Sequence, residues 1–263
     1  MTNNLIREKK GSIEVITLNN PKSLNPLSEE ILMSLQEALD EISKTSSIRA
    51  LIIRAEGKAF CAGHDLKQMQ MARRQRDGGK KYFIELFKTC GRLMTSIKSL
   101  PQPVIAEVNG LATAAGCQLV ATCDLAIASP KASFGVNGVN IGLFCSTPMV
   151  ALTRNISRKK TFEMLVTGDF IDAQTAFKLG LINKVVSEDS LQGESIALAE
   201  KIVSKLAVAV KIGKESFYKQ AEMKLEEAYD YTAEVMAANM LFKDTNEGIN
   251  AFIEKRKPNW EAE

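Results

Sequence analysis

Two glycine-containing turns hold residue types that could do chemistry. One is Phe60-Cys61-Ala62-Gly63-His64-Asp65-Leu66. The other is Asn109-Gly110-Leu111-Ala112-Thr113-Ala114-Ala115-Gly116-Cys117-Gln118. Each stands where a strand-like stretch meets a helix-like one. Small residues at such a junction let a ligand approach the main chain, and free N–H groups at a helix start can point at a carbonyl oxygen. Two N–H groups converging from separate turns form an oxyanion hole, which stabilises charge developing on that oxygen. The same residue types also serve tight packing, and spacing alone leaves both readings open.

Other chemistries lack their residues. There is no GxSxG elbow, no GxxxxGK[ST] phosphate loop and no GxGxxG fingerprint. His64 is the only histidine. The five cysteines (Cys61, Cys90, Cys117, Cys123, Cys145) are irregularly spaced and form no CxxC pair. No zinc site is expected, and the thiols read as reduced in a cytosol-like, cytoplasmic compartment.

Elements able to position the two turns can be read around them. Ser12–Leu18 alternates as a half-buried strand, and Ser28 with Glu29 and Glu30 opens an amphipathic helix through Ile42. Ala50–Arg54, Val104–Val108 and Asp124–Ala128 read as further strands, with Gly57–Gly63 as a loop. Helices are expected over about 80–100 and 113–122. This βα alternation predicts an α/β domain with both sheet faces covered. From Ser146 onward the pattern is almost all helix, apart from Lys184–Val186.

The 263 residues suit one large domain with an appendage. The expected division is a core over 1–189 and a helical, trimerising region over 190–263. Lys and Arg total 34 against 31 Asp and Glu, a net charge of +3, which excludes a surface built as a whole to hold nucleic acid. The N-terminal stretch lacks a signal peptide's apolar core. The uncharged run Ala132–Thr153 is broken by Gly, Asn and Pro, so it reads as buried interior and not as a bilayer span.

Several segments match one family in order along the chain: Asn19-Asn20-Pro21-Lys22-Ser23-Leu24-Asn25, Ala59 to Leu66, Asn109 to Leu119, Cys123-Asp124 and Glu247 to Phe252 with Lys255-Arg256-Lys257. Together they resemble the crotonase, or enoyl-CoA hydratase/isomerase, superfamily. Among its subgroups, Ala112–Gln118 and Asn140–Pro148 most resemble the enoyl-CoA hydratase domain-containing protein 3 type. The resemblance implies a spiral of repeated ββα turns with a C-terminal helical region, and a homotrimer or dimer of trimers. It implies an acyl-CoA thioester as ligand, with coenzyme A part of the substrate and no separate cofactor, nucleic acid or membrane partner. It places the thioester oxygen between the backbone N–H groups of His64 and Ala115, and the coenzyme on loops carrying Ser23, Leu24, Lys58, Ala62 and Asp65. Lys255 would reach the nucleotide end of a ligand in a neighbouring subunit.

The departures from the family are specific. The glutamate that holds water in the hydratases is Gln118 here, and the proton-donating glutamate aligns with Gly138. Glutamine cannot accept the proton, and glycine has no side chain. The expected protein is thus a lyase-family thioester enzyme that keeps the hole and lacks the acid/base pair. A catalytically degenerate acyl-CoA binder and a malonyl-type thioester decarboxylase are the alternatives. The decarboxylase branch carries a tyrosine where Cys145 stands here. Asp65 is expected to cap the next helix, and Cys145 to be an apolar filler. The loop Arg73–Lys81, with five positive charges, reads either as a solvated surface or as a funnel for coenzyme phosphates.

Overall fold

The computed structural model describes residues 4–261. The chain opens with an antiparallel pair, β1 (Leu5–Lys10) and β2 (Ile13–Leu18), turned at Gly11 with φ +60. After a 3-10 turn at Pro21–Ser23 comes α1 (Glu29–Ser43), capped by Ser28, whose Oγ accepts the Ile31 N–H at 3.3 Å. Next are β3 (Ala50–Ala55), β4 (Ala59–Cys61), α2 (Leu66–Ala72) and α3 (Lys80–Ser99). Two further strand pairs follow. They are β5 (Val104–Val108) and β6 (Leu111–Thr113), then, after α4 (Ala115–Thr122), β7 (Leu125–Ala128) and β8 (Ser133–Gly135).

A 3-10 turn at Asn137–Ile141 leads to α5 (Pro148–Leu152), α6 (Arg158–Thr167), β9 (Ile171–Asp172), α7 (Ala173–Lys178) and β10 (Lys184–Val185). The chain then runs through α8 (Glu188–Val203), α9 (Ala207–Gln220), α10 (Leu225–Met240) and α11 (Lys243–Ile253).

The strands form two sheets, in orders β1-β2-β3-β5-β7-β10 and β4-β6-β8-β9. Strands β2, β3, β5, β7 and β10 run parallel in the first, and β4, β6 and β8 run parallel in the second. The chain therefore visits the large sheet and then the small one on each turn, at β3–β4, β5–β6 and β7–β8. This is the predicted α/β spiral of ββα repeats with its C-terminal helices.

Leu51, Ile53 and Ala106 pack with α1, α3 and α4 in the main core, while Val15, Ile52 and Ile105 pack with Ala199 of α8 on the other face. Both faces of the large sheet are covered, as parallel strands require. A buried ion pair anchors α9. Lys214 Nζ donates to Asp124 Oδ2 at 2.6 Å and to the carbonyls of Ile97 (2.9 Å) and Gln102 (3.0 Å). The Tyr218 hydroxyl donates to Asp124 Oδ1 at 2.7 Å. By contrast α10 buries no residue, leaving Leu225, Tyr229 and Met236 exposed.

Three local expectations are corrected. The loop read over Gly57–Gly63 contains β4, and the helix read from Thr113 begins at Ala115, because Leu111–Thr113 pairs as β6. Strands of three residues are too short to display a period of two. The stretch Ala132–Thr153 is not wholly interior, since Ile141, Phe144 and Val150 are exposed. Its backbone breaks into a 3-10 turn and a single helical turn, which leaves part of the apolar set facing outward. Among the described residues no helix is long and apolar enough to cross a membrane, and no group of acidic, histidine or cysteine side chains could hold a metal ion.

Candidate active site

Parallel pairing of β4 with β6, with Cys61 opposite Ala112, brings the two glycine turns out side by side. Gly63 has φ +90. A Cβ there would stand 3.0 Å from Ala114 Cβ and 3.4 Å from the Ala115 nitrogen. A Cβ on Gly116 would overlap the Cys61 carbonyl oxygen. The second turn is held in an unusual conformation, Ala114 at φ 50 and ψ −119, with its N–H donating to the Gly135 carbonyl at 2.9 Å.

Ala115 is the first residue of α4, so its N–H has no acceptor within the helix. Among the described residues the His64 N–H has no main-chain acceptor either. The structure thus sets the turn at Gly63, next to His64, against the start of α4 at Ala115.

The His64 ring is half-buried. Its Nδ1 lies 3.3 Å from the Leu27 carbonyl, and the ring meets Phe87 edge-on at 5.5 Å. Burial pushes the imidazole below its ordinary value of 6.5, against the opposing pull of the Leu27 carbonyl. A neutral ring that donates through Nδ1–H leaves Nε2 an acceptor, and Nε2 is buried without a partner.

Gln118 is buried, and its Oε1 also lacks a partner. It lines a cavity of 1740 Å³ together with Met94, Val150 and Tyr218 from α3, α5 and α9. His64, Ala115 and Gly138 do not line that cavity. Gly138 is buried in the 3-10 turn before Gly142. A Cβ on it would collide with the Leu143 carbonyl oxygen and stand 2.8 Å from Cys145 Sγ. The Cys145 thiol is buried and pushed up by burial, and those of Cys61 and Cys117 are pushed up to about 12 by burial, so these side chains stay protonated. Neither carboxylate nor thiolate stands at positions 118 and 138.

The loops expected to take the coenzyme meet at this end of the fold. The Ala62 N–H donates to the Leu24 carbonyl at 3.0 Å, and the Leu27 N–H to the Gly63 carbonyl at 2.8 Å. Ser23 and Lys58 are exposed. Asp65 caps α2, accepting the N–H groups of Lys67 at 2.8 Å and Gln68 at 3.2 Å. Among the described residues no hydrogen bond or ion pair joins Lys255, past the end of α11, to these loops.

Sequence reasoning missed the role of Asn25. It is buried at φ 51. Its Oδ1 accepts the Asn20 N–H at 2.7 Å, and its Nδ2 donates to the carbonyls of Glu56 (2.9 Å) and Ala59 (2.7 Å). One amide therefore fixes both loops below the Gly63 turn. An asparagine after a Pro-Lys-Ser-Leu turn, with its tolerance of positive φ, was the available signal.

Comparison with known proteins agrees with the fold. A model of the enoyl-CoA hydratase/isomerase family matches residues 8–263. The chain is 48% identical over 255 residues to the mitochondrial enoyl-CoA hydratase domain-containing protein 3 of Xenopus laevis, covering 97% of this chain and 85% of that protein. Among solved structures, an enoyl-CoA hydratase of Mycobacterium smegmatis superposes with TM-score 0.94 at 49% identity, covering 98% of each chain. The human enoyl-CoA hydratase domain-containing protein 3 superposes with TM-score 0.93 at 47% identity, covering 98% of this chain and 100% of that one. The subgroup resemblance read from Ala112–Gln118 is borne out. The cytoplasmic expectation is corrected, because the relatives from Xenopus, human and rat are mitochondrial by name. Unpaired thiols do not tell one reducing compartment from another.

Proposed function

The chain belongs to the enoyl-CoA hydratase/isomerase family, and from that premise we propose that it binds an acyl-CoA thioester and stabilises an enolate through the His64 and Ala115 N–H groups. The observation that supports this reading is the 3.4 Å approach of a Gly63 Cβ position to the Ala115 nitrogen, which brings the turn just before His64 against the start of α4. As a bond at the α-carbon breaks, its electron pair moves onto the thioester oxygen, and both N–H groups gain strength as acceptor charge grows. One such donor is worth about 2.7–4 kcal/mol of barrier.

Water addition needs more than this hole. It needs a group to hold and deprotonate water and a group to protonate carbon, a contribution of about 10²–10⁴-fold. Gln118 can orient a water or an acyl group by hydrogen bonding but cannot take its proton. Gly138 has no side chain, and the Leu143 carbonyl fills the space for one. Efficient hydration is therefore not the proposed activity. Loss of carbon dioxide from a malonyl-type thioester is favoured by a specific observation: no carboxylate at 118 or 138 repels the substrate's own. The exposed apolar side chains of α10, with Phe252 and Ile253 of α11, support assembly with further copies as a trimer or dimer of trimers.

The deciding experiment pairs calorimetric titration of a non-hydrolysable acyl-CoA analogue with turnover assays on enoyl, hydroxyacyl and malonyl-type thioesters. Saturable binding, with turnover that falls on Gln118→Ala, is the expected result. Binding without turnover on any of the three identifies a degenerate binder. Absence of binding overturns the reading.

A further inference from the structure

A second cavity, of 280 Å³, lies where the loop before β3 and the loop before β5 meet the start of α9. It is thus at the amino ends of the large-sheet strands, and none of the residues of the two glycine turns lines it. Three cations do: Lys44, Arg49 and Lys211. No carboxylate is among its lining residues, and none of the three cations forms an ion pair among the described residues.

Arg49 is the most telling of the three. Its guanidinium donates to the Lys205 carbonyl at 2.5 Å, and burial lowers its pKa with no carboxylate nearby to offset this. Arginine in such a setting is ordinarily paired, because its fork of donors suits a carboxylate. Lys44 has a simpler account, since it follows the C-terminus of α1, where a cation is favourable. Arg49 and Lys211 have no such account.

Ile48, Ile202, Val208 and Val210 give the cavity an aliphatic wall, and Ser43, Ser46 and Gln102 add neutral polar groups. At about 30 Å³ for each water-sized group, its 280 Å³ holds roughly nine heavy atoms. Pro101 and Lys211 line both this cavity and the large one that reaches Gln118. The Gln102 carbonyl, next in the chain, holds Lys214 and so the seat of α9.

We propose that this pocket is a separate binding site for a short aliphatic carboxylate, whose head group pairs with Arg49 and whose chain of about six carbons lies on Ile48, Ile202 and Val208. An occupant there would bear on α9 through Lys211 and hence on the wall of the cavity that Gln118 lines. The inference stands on the second cavity alone and does not depend on the proposed thioester chemistry.

Equilibrium dialysis of the full chain with isotopically labelled hexanoate tests it, with hexanol and inorganic phosphate as the two partial probes. The expected result is one saturable hexanoate site per chain, with both hexanol and phosphate binding at least about tenfold more weakly. Arg49→Gln should lower hexanoate affinity by about tenfold, and Val208→Phe, which fills the pocket, should abolish binding while circular dichroism shows the fold unchanged. Non-saturable binding, equal affinity for phosphate or hexanol, or unchanged binding in Val208→Phe would each overturn the proposal. If Arg49→Gln fails to fold, the wild-type probe series and Val208→Phe still decide.

Discussion

The main chain of Leu143 folds back onto Gly138. Its N–H donates to the Gly138 carbonyl at 2.9 Å, and its own carbonyl oxygen takes the space a Cβ of residue 138 would need. The backbone path itself, and not only the residue type, therefore leaves no space for a side chain at position 138. Gly138→Glu should cost about 1–3 kcal/mol through overpacking, and neither it nor Gln118→Glu alone should yield efficient hydration. Thermal unfolding together with loss of enoyl-CoA absorbance measures both. A stable Gly138→Glu chain that hydrates enoyl-CoA rapidly would refute this account.

Gly63 has little room for a methyl group. Its φ of +90 and the 3.0 Å approach to Ala114 Cβ make Gly63→Ala strained on both counts. The expected cost is about 1–3 kcal/mol of stability, along with weaker binding of an acyl-CoA analogue as the two turns are pushed apart. Urea unfolding and calorimetric titration of the same variant report the two effects separately.

His64 gives a pH signature. Its folded-state pKa lies below the ordinary 6.5 because of burial. As pH falls below 6.5 the unfolded chain takes up a proton that the folded chain resists, so stability falls with acidification in that window. His64→Gln should remove this component, and with a single histidine in the chain the difference between the two urea-midpoint profiles isolates it. Parallel profiles from pH 7 down to 5 would show that the ring titrates freely.

Lys214 and Asp124 should be costly to separate. Removing one partner of a buried pair leaves an uncompensated charge, at about 3–5 kcal/mol. Asp124 also accepts the Val104 N–H at 2.7 Å and the Tyr218 hydroxyl. Lys214→Met should therefore destabilise less than Asp124→Ala, which orphans three donors. Chemical denaturation of the two variants ranks them.

Much of the fold is legible along the chain. Ser28 and Asp65 announce their helices and do cap them. The strands β2, β3, β5 and β7 stand out as apolar or alternating runs of four to six residues. The small sheet does not, because β4, β6 and β8 have three residues each and their pairing is decided by partners distant in sequence. At the candidate site the two turns show in their glycines and alanines, but their juxtaposition comes from β4 and β6 lying side by side. The filled space above Gly138 is equally hidden, since it is a carbonyl of Leu143 that fills it. Asn25 looks like an ordinary turn residue until its three loop contacts are seen.

The pair of donors proposed at residues 64 and 115 belongs to the peptide backbone, which every amino acid except proline supplies. Point substitution can retire the groups that finish a reaction far more easily than it can erase the grip on a ligand. A lineage built this way can change its chemistry, or abandon it, while still recognising the same class of molecule, so binding partners should outlast activities when its members diverge.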